Sequence, residues 1–189
     1  MNVFDEYPDR VEVDGKVYPL DLSFDRVLMA MDAADDKGLS PADKIELQAR
    51  LFLRRSRDLP KTAEGREKLI RAVLELFPKP EKGGSDKCID FHQDAALIRS
   101  AFFRMGIDLQ TDRIHFFRFL ELLADLPEDT ALARIIEIRT RPLPERNKHN
   151  AKLIAQIQEA KARVAIKYTD EEARERFADK LKHSSFMRG

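Results

Sequence analysis

Apolar residues recur at three- and four-residue spacing in stretch after stretch of this chain, and most of those stretches run into a proline or a glycine. That punctuation marks a series of short helices. Each predicted helix is too short to persist alone in water, so its apolar stripe must be buried against neighbours. The fold class expected from this pattern is mainly α, a helical bundle.

One β element interrupts it. "VEVDGKVYPLDLS" alternates apolar and polar residues on both sides of Asp14-Gly15, a dipeptide suited to the positive φ angles of a tight hairpin. Ser23 or Asp21 is then placed to cap a helix carrying Phe24, Val27, Leu28 and Met31, ending near Gly38. Ser40 with Pro41 at the first helical position predicts a second helix, its stripe made of Ile45, Leu47, Leu51, Phe52 and Leu53. Thr62 opens a third, with Leu69, Ile70, Val73, Leu74 and Phe77 on one face and Pro78 and Pro80 at its end. These elements make an N-terminal half, residues 1–78, and "KPEKGGSDK" marks 79–88 as an exposed linker.

The second half, 89–144, opens on "IDFHQDAALIRSAFFRMGIDL". Asp90 is placed to cap, Gln93 to complete a capping box, and Phe91, Ala95, Leu97, Ile98, Ala101, Phe102 and Met105 to form a buried stripe that Gly106 stops. "RIHFFRFLELLADLP" and "EDTALARIIEIRTRPLP" supply two more helices, and the short links predict that all three pack as sequential neighbours. Residues 145–189 form a polar, moderately basic C-terminal helical arm with a thin stripe of Leu153, Ile154, Ile157, Val164 and Ile166. Such a helix is either marginally docked or dependent on a partner.

Several chemistries fall away on residue type and spacing. Asp90, His92 and Asp94 invite a metal reading, but positions two apart on a helix point about 200° from each other. Capping of a helix start accounts for them instead, and no metal or cofactor is expected. His115 lies between Ile114 and a Phe pair, with no nucleophile or carboxylate dyad arranged around it, so no catalytic residue is expected. Gly83-Gly84 lacks the lysine and hydroxyl residue of a phosphate loop. Cys88 is the single cysteine, which excludes an intrachain disulfide.

Lys plus Arg total 34 and Asp plus Glu total 34, so no overall charge draws the chain to nucleic acid or to an anionic membrane. The tail interleaves acids with its bases and scatters Tyr168, Phe177 and Phe186, which suits a solvated helix better than a stacking platform. No stretch reaches the roughly 18 apolar residues of a membrane span, and "MNVFDEYPDR" lacks a signal-peptide pattern. The protein is expected to stay in the cytoplasm where it is made. Phe102, Phe103, Phe116, Phe117 and Phe119 exceed what one helix face buries in a single direction. Phe103, Phe116 and Phe117, with Leu153, Ile154 and Ile157 of the arm, are therefore candidate partner-binding residues, for self-association or for a client.

The same second half resembles the phage family called gene product fifteen, through two patterns, "DFxxDaxxIxxsFxxxxgIDL" and "lhWwxFxxLlxgLPedTxxxxIixIR". They fall on Asp90, Phe91, Asp94, Ile98, Phe102, Gly106, Ile107, Asp108 and Leu109, then on His115, Phe119, Leu122, Leu126, Pro127, Glu128, Asp129, Thr130, Ile135, Ile136, Ile138 and Arg139. The likeness covers residues 89–141 well and the hairpin with "LDLSFDRVL" more loosely, without reaching the tail. Phe116-Phe117 stands where the family tends to have Trp, and Met105 where an aromatic is common; both are volume-tolerant changes. Members are encoded just ahead of the tape-measure gene in long-tailed phages and prophages of Gram-positive bacteria. The resemblance implies a tail assembly chaperone in the host cytoplasm that binds the tape-measure protein and assists tail-tube subunits, with no enzymatic activity. The alternative it leaves open is a permanent tail-completion or connector protein of the virion.

Overall fold

The computed structural model describes residues 6–78 and 87–168. Among them are β1 (Arg10–Val13), β2 (Lys16–Pro19), α1 (Phe24–Asp35), α2 (Pro41–Phe52), α3 (Ala63–Leu74), α4 (Ala95–Arg104), α5 (Phe116–Ala124), α6 (Ala131–Thr140) and α7 (Ala151–Arg163). The described residues are mainly α with one antiparallel hairpin, as the periodicity of the chain predicts. Most of the expected linker and the end of the arm, with Phe177 and Phe186, lie outside the described residues.

These elements form two compact units, and neither is continuous in the chain. One is drawn from Met1–Gly84 and Gly106–Leu126, the other from Ser85–Met105 and Pro127–Gly189. The segment 89–144 therefore contributes to both units.

In the first unit, Val11 faces Tyr18 and Val13 faces Lys16 across the hairpin. Asp14 at φ 50° and Gly15 at φ 74° supply the two left-handed residues of its turn. Ser40 Oγ accepts from Asp43 N at 3.2 Å, and Thr62 Oγ1 from Gly65 N at 3.1 Å, so both predicted caps start their helices. The cap of α1 differs from expectation. Ser23 holds the N-cap position without a side-chain cap bond, and its own N–H donates to Asp21 Oδ1 at 3.3 Å. The first N–H groups of α1 and α5 are satisfied reciprocally across a one-residue β-bridge between Ser23 and His115: Phe24 N donates to Ile114 O at 2.9 Å and Phe116 N to Leu22 O at 2.7 Å.

That bridge sets α5 against α1. The expectation that α4, α5 and α6 pack as sequential neighbours is thereby corrected, since α4 packs with α6. Burial also redraws the predicted stripes. Val27, Ala30 and Ala33 are the buried face of α1 and Ala49 and Phe52 that of α2, whereas Met31, Leu47 and Leu74 are exposed. Small side chains at Ala30, Ala33 and Ala49 fit the α1–α2 seam, where Gln48 Nε2 reaches Ala30 O at 3.1 Å. At the far end of α2, Arg26 caps the last turn by donating to the carbonyls of Leu51 at 2.7 Å and Arg50 at 2.9 Å.

In the second unit, Ile98, Ala101, Phe102 and Leu132 are buried between α4 and α6. Thr130 is buried and caps α6, its Oγ1 accepting from Ala133 N at 3.2 Å. Gly106, where the chain passes to the first unit, follows α4 at φ 79°, the left-handed geometry expected of a helix stop. Helix α7 packs on α6, and from the arm Ile157 and Ile166 are buried.

Candidate functional site

The family-pattern residues Asp90, Asp94 and Arg139 meet in the second unit. Asp90 Oδ1 accepts from the N–H groups of His92 at 2.9 Å and Gln93 at 2.8 Å, which caps the turn leading into α4. The expected capping box is rearranged: the group that reaches back to Asp90 N is Asp94 Oδ2, at 2.9 Å, one residue beyond Gln93. Gln93 instead uses both ends of its amide on the backbone of Lys167, donating to its O at 2.5 Å and accepting from its N at 2.8 Å.

Asp94 also receives both guanidinium nitrogens of Arg139, Nη1 to Oδ2 at 2.6 Å and Nη2 to Oδ1 at 2.9 Å, a fork with side chains 4% and 11% exposed. Two further donors of Arg139 go to backbone carbonyls, Nη1 to Cys88 at 2.9 Å and Nε to Val164 at 2.7 Å. One guanidinium thus ties four pieces of the unit: the segment before α4, α4 itself, α6 and the end of α7. Burial by itself would raise the Asp94 carboxyl, and the bonds from Arg139 and Asp90 N outweigh it, holding it below the usual carboxylate range. Asp90 is lowered on the same balance, burial against the Gln93 N–H and Lys87.

His115 belongs to the first unit. Its Nδ1 accepts from Phe117 N at 3.2 Å as the N-cap of α5, which leaves Nε2 as the N–H that donates to Pro8 O at 3.2 Å. Tyr7 stacks on the ring at 4.8 Å between centroids and donates to Glu121 at 2.5 Å. Burial lowers the His115 pKa. A neutral ring that caps one helix and straps down a chain segment is a structural part, with both nitrogens committed.

The candidate partner-binding residues separate by exposure. Phe103 is 70% exposed and Leu153 46%, and Ile154 is half-buried, so all three offer apolar area. Phe116, Phe117 and Ile157 are buried, a correction to their expected place at a surface. Phe77 contributes to the burial of the first two, its ring packing 5.6 Å from Phe116 and 5.4 Å from Phe117. Of the other pattern residues, Phe102 and Phe119 are core, Phe91, Ile107, Asp108, Leu109 and Leu126 are half-buried, and Pro127 is exposed.

Two open grooves have apolar floors. In the first unit, Ile45, Ile70 and Leu74 line about 410 Å³ with Glu67, Arg71 and Glu75 at its edge. In the second, Leu143, Pro144, Ala151, Ile154 and Ala155 line about 400 Å³ beside Arg146 and Gln158. Exposed Leu143 and Leu153 extend the apolar surface of this part of the chain. Neither groove is legible as a motif; only the exposure of leucines on stretches rich in proline and charge points to the second. Among the described residues no group of three or more His, Cys, Asp and Glu could hold a metal ion, and no helix is long and apolar enough to cross a membrane.

A family model described as Bacteriophage Gp15 protein matches residues 3–166. The match reaches well into the arm, beyond the limit of residue 141 that the short patterns suggest. No curated protein and no solved structure matches the chain.

Proposed function

Because the chain belongs to the bacteriophage Gp15 family, whose members are phage structural or assembly proteins, we propose that it is a tail assembly chaperone for the tape-measure protein. The observation that carries this reading is the apolar surface shared by the start of the arm and the segment before it, Leu143, Leu153 and the groove lined by Pro144 and Ile154, inside the family-matched region. A client helix laying a few apolar side chains there gains about 25 cal/mol per Å2 of covered surface. Ordering and lost freedom take back much of that gain, so each contact is weak and reversible. Repetition of weak contacts along a long client then retains it without trapping it. Tail-tube subunits displace the chaperone as they close around the same helices.

The test is co-expression of this chain with the tape-measure protein encoded in the same phage, with capture of the soluble complex and mass analysis of finished particles. Soluble tape measure that co-purifies, together with particles lacking this chain, is the expected result. Stoichiometric presence in particles overturns it in favour of a permanent structural subunit. A double Leu143→Asp, Leu153→Asp chain is expected to remain folded and to lose the co-purification, because both side chains are exposed.

A further inference from the structure

The arm that bears part of this surface is held in part through its backbone. Arg139 Nε donates to the carbonyl of Val164 at 2.7 Å, and Gln93 pairs with both backbone groups of Lys167 at 2.5 and 2.8 Å. All three bonds run from side chains of the α4–α6 body to backbone atoms of the arm. In return the arm places Lys161 Nζ on the carbonyl of Arg139 at 3.0 Å and buries Ile157 and Ile166. A body that recognises a helix end and an extended tail by their backbone accepts that segment whether it arrives from its own chain or from another.

The connection from α6 to α7 favours exchange. Residues 141–147 carry no regular structure, are exposed throughout and include Pro142 and Pro144, which hold a connecting segment extended. Asn147 and Asn150 close their own turn at the start of α7, Asn147 N to Asn150 Oδ1 at 2.8 Å and Asn150 N to Asn147 Oδ1 at 3.0 Å, so the helix start needs nothing from the body. The groove lined by Leu143, Pro144, Ala151 and Ile154 is built from the connection and the first turns of α7, and none of its lining residues comes from the α4–α6 body.

We propose that residues 145–168 are an exchangeable arm, released from its own α4–α6 body and seated on the same body of a second copy of this chain. The second copy is the occupant because its arm repeats every contact already made: Lys161, Ile157 and Ile166 on one side, Arg139 and Gln93 on the other. Exchange between copies is the low-cost route to association when a hinge is extended and the interface is already built. This proposal does not depend on the client reading above.

The experiment uses the full chain and a fluorescent peptide of residues 145–168. The peptide is expected to bind the native chain and to bind an Ile157→Ala chain more than ten-fold tighter, because the resident arm then competes less well. Hydrogen exchange is expected to be faster at α7 amides than at those of α4 and α6. Light scattering on the concentrated native chain is expected to show a dimer that the peptide converts to monomer. Failure of the peptide to bind a folded Ile157→Ala chain overturns the proposal, and so does a dimer that the peptide leaves intact.

Discussion

Two stretches of this chain read almost alike, IDFHQD at 89–94 and IDLQTD at 107–112, one in each unit. They fold into the same turn. Asp90 N donates to Asp94 Oδ2 at 2.9 Å and Asp108 N to Asp112 Oδ2 at 2.9 Å; Asp90 Oδ1 accepts from His92 N and Asp108 Oδ1 from Gln110 N, both at 2.9 Å. The carboxylates that close the two turns part company there. Asp94 is buried and forked by Arg139, while Asp112 is exposed. A local hydrogen-bond pattern is thus set by six residues, and whether its closing carboxylate becomes a structural centre depends on what the rest of the unit brings to it.

The largest effect should come from breaking the fork. Asp94→Ala or Arg139→Ala strands a buried charge, and each is expected to cost roughly 3–5 kcal/mol in urea denaturation. If Asp94→Ala costs no more than Asp112→Ala, the fork does not hold the unit. Arg139→Lys should recover only part of the loss, since one ammonium cannot serve Asp94, Cys88 O and Val164 O in the geometry of a guanidinium.

Next comes the opening carboxylate of each turn. Asp90→Ala removes the acceptor of two N–H groups and should cost about 1–2 kcal/mol, against about 1 kcal/mol or less for Asp108→Ala, which loses one. Equal losses would mean that the second N–H bond at Asp90 adds nothing. Asp112→Ala, at an exposed position, should cost under about 1 kcal/mol.

The mildest probe is pH, read as amide exchange in each unit separately. His115 is depressed in the folded chain, so below the ordinary histidine value of about 6.5 the unfolded chain takes up a proton that the folded chain does not. The first unit should therefore lose stability as pH falls from about 6.5 toward the folded value, and His115→Asn, which keeps a capping acceptor, should abolish that slope. Asp94 and Asp90 are depressed too, and their contribution is fully present above the ordinary aspartate value of about 3.9 and lost as pH falls below it. A second unit that weakens between pH 6 and 5 as strongly as the first would refute this assignment.

Much of this is legible in the sequence. The Asp14-Gly15 turn, the caps Ser40 and Thr62, and the stop at Gly106 all depend on a few adjacent residues, and all occur where their sequence places them. Burial is less legible there. Met31, Leu47 and Leu74 have the right spacing for a core face and stand exposed, because alanines at 30, 33 and 49 occupy the seam instead. Phe116 and Phe117 looked like surplus aromatics and are core, because Phe77 comes to them from nearly forty positions earlier in the chain, a separation no local period encodes.

The sequence by itself determined the helices, the hairpin and the twin turns, since each rests on bonds between residues a few positions apart. It also carries the family patterns that point to phage assembly. Only the tertiary structure decided which turn becomes a buried centre, because the choice falls to Arg139, 45 positions from Asp94, whose guanidinium must reach one carboxylate and two distant carbonyls at once. Phe102 and Leu132 are buried in the same unit, where α4 packs with α6, and the fork depends on that packing, so its partners cannot be read from spacing along the chain.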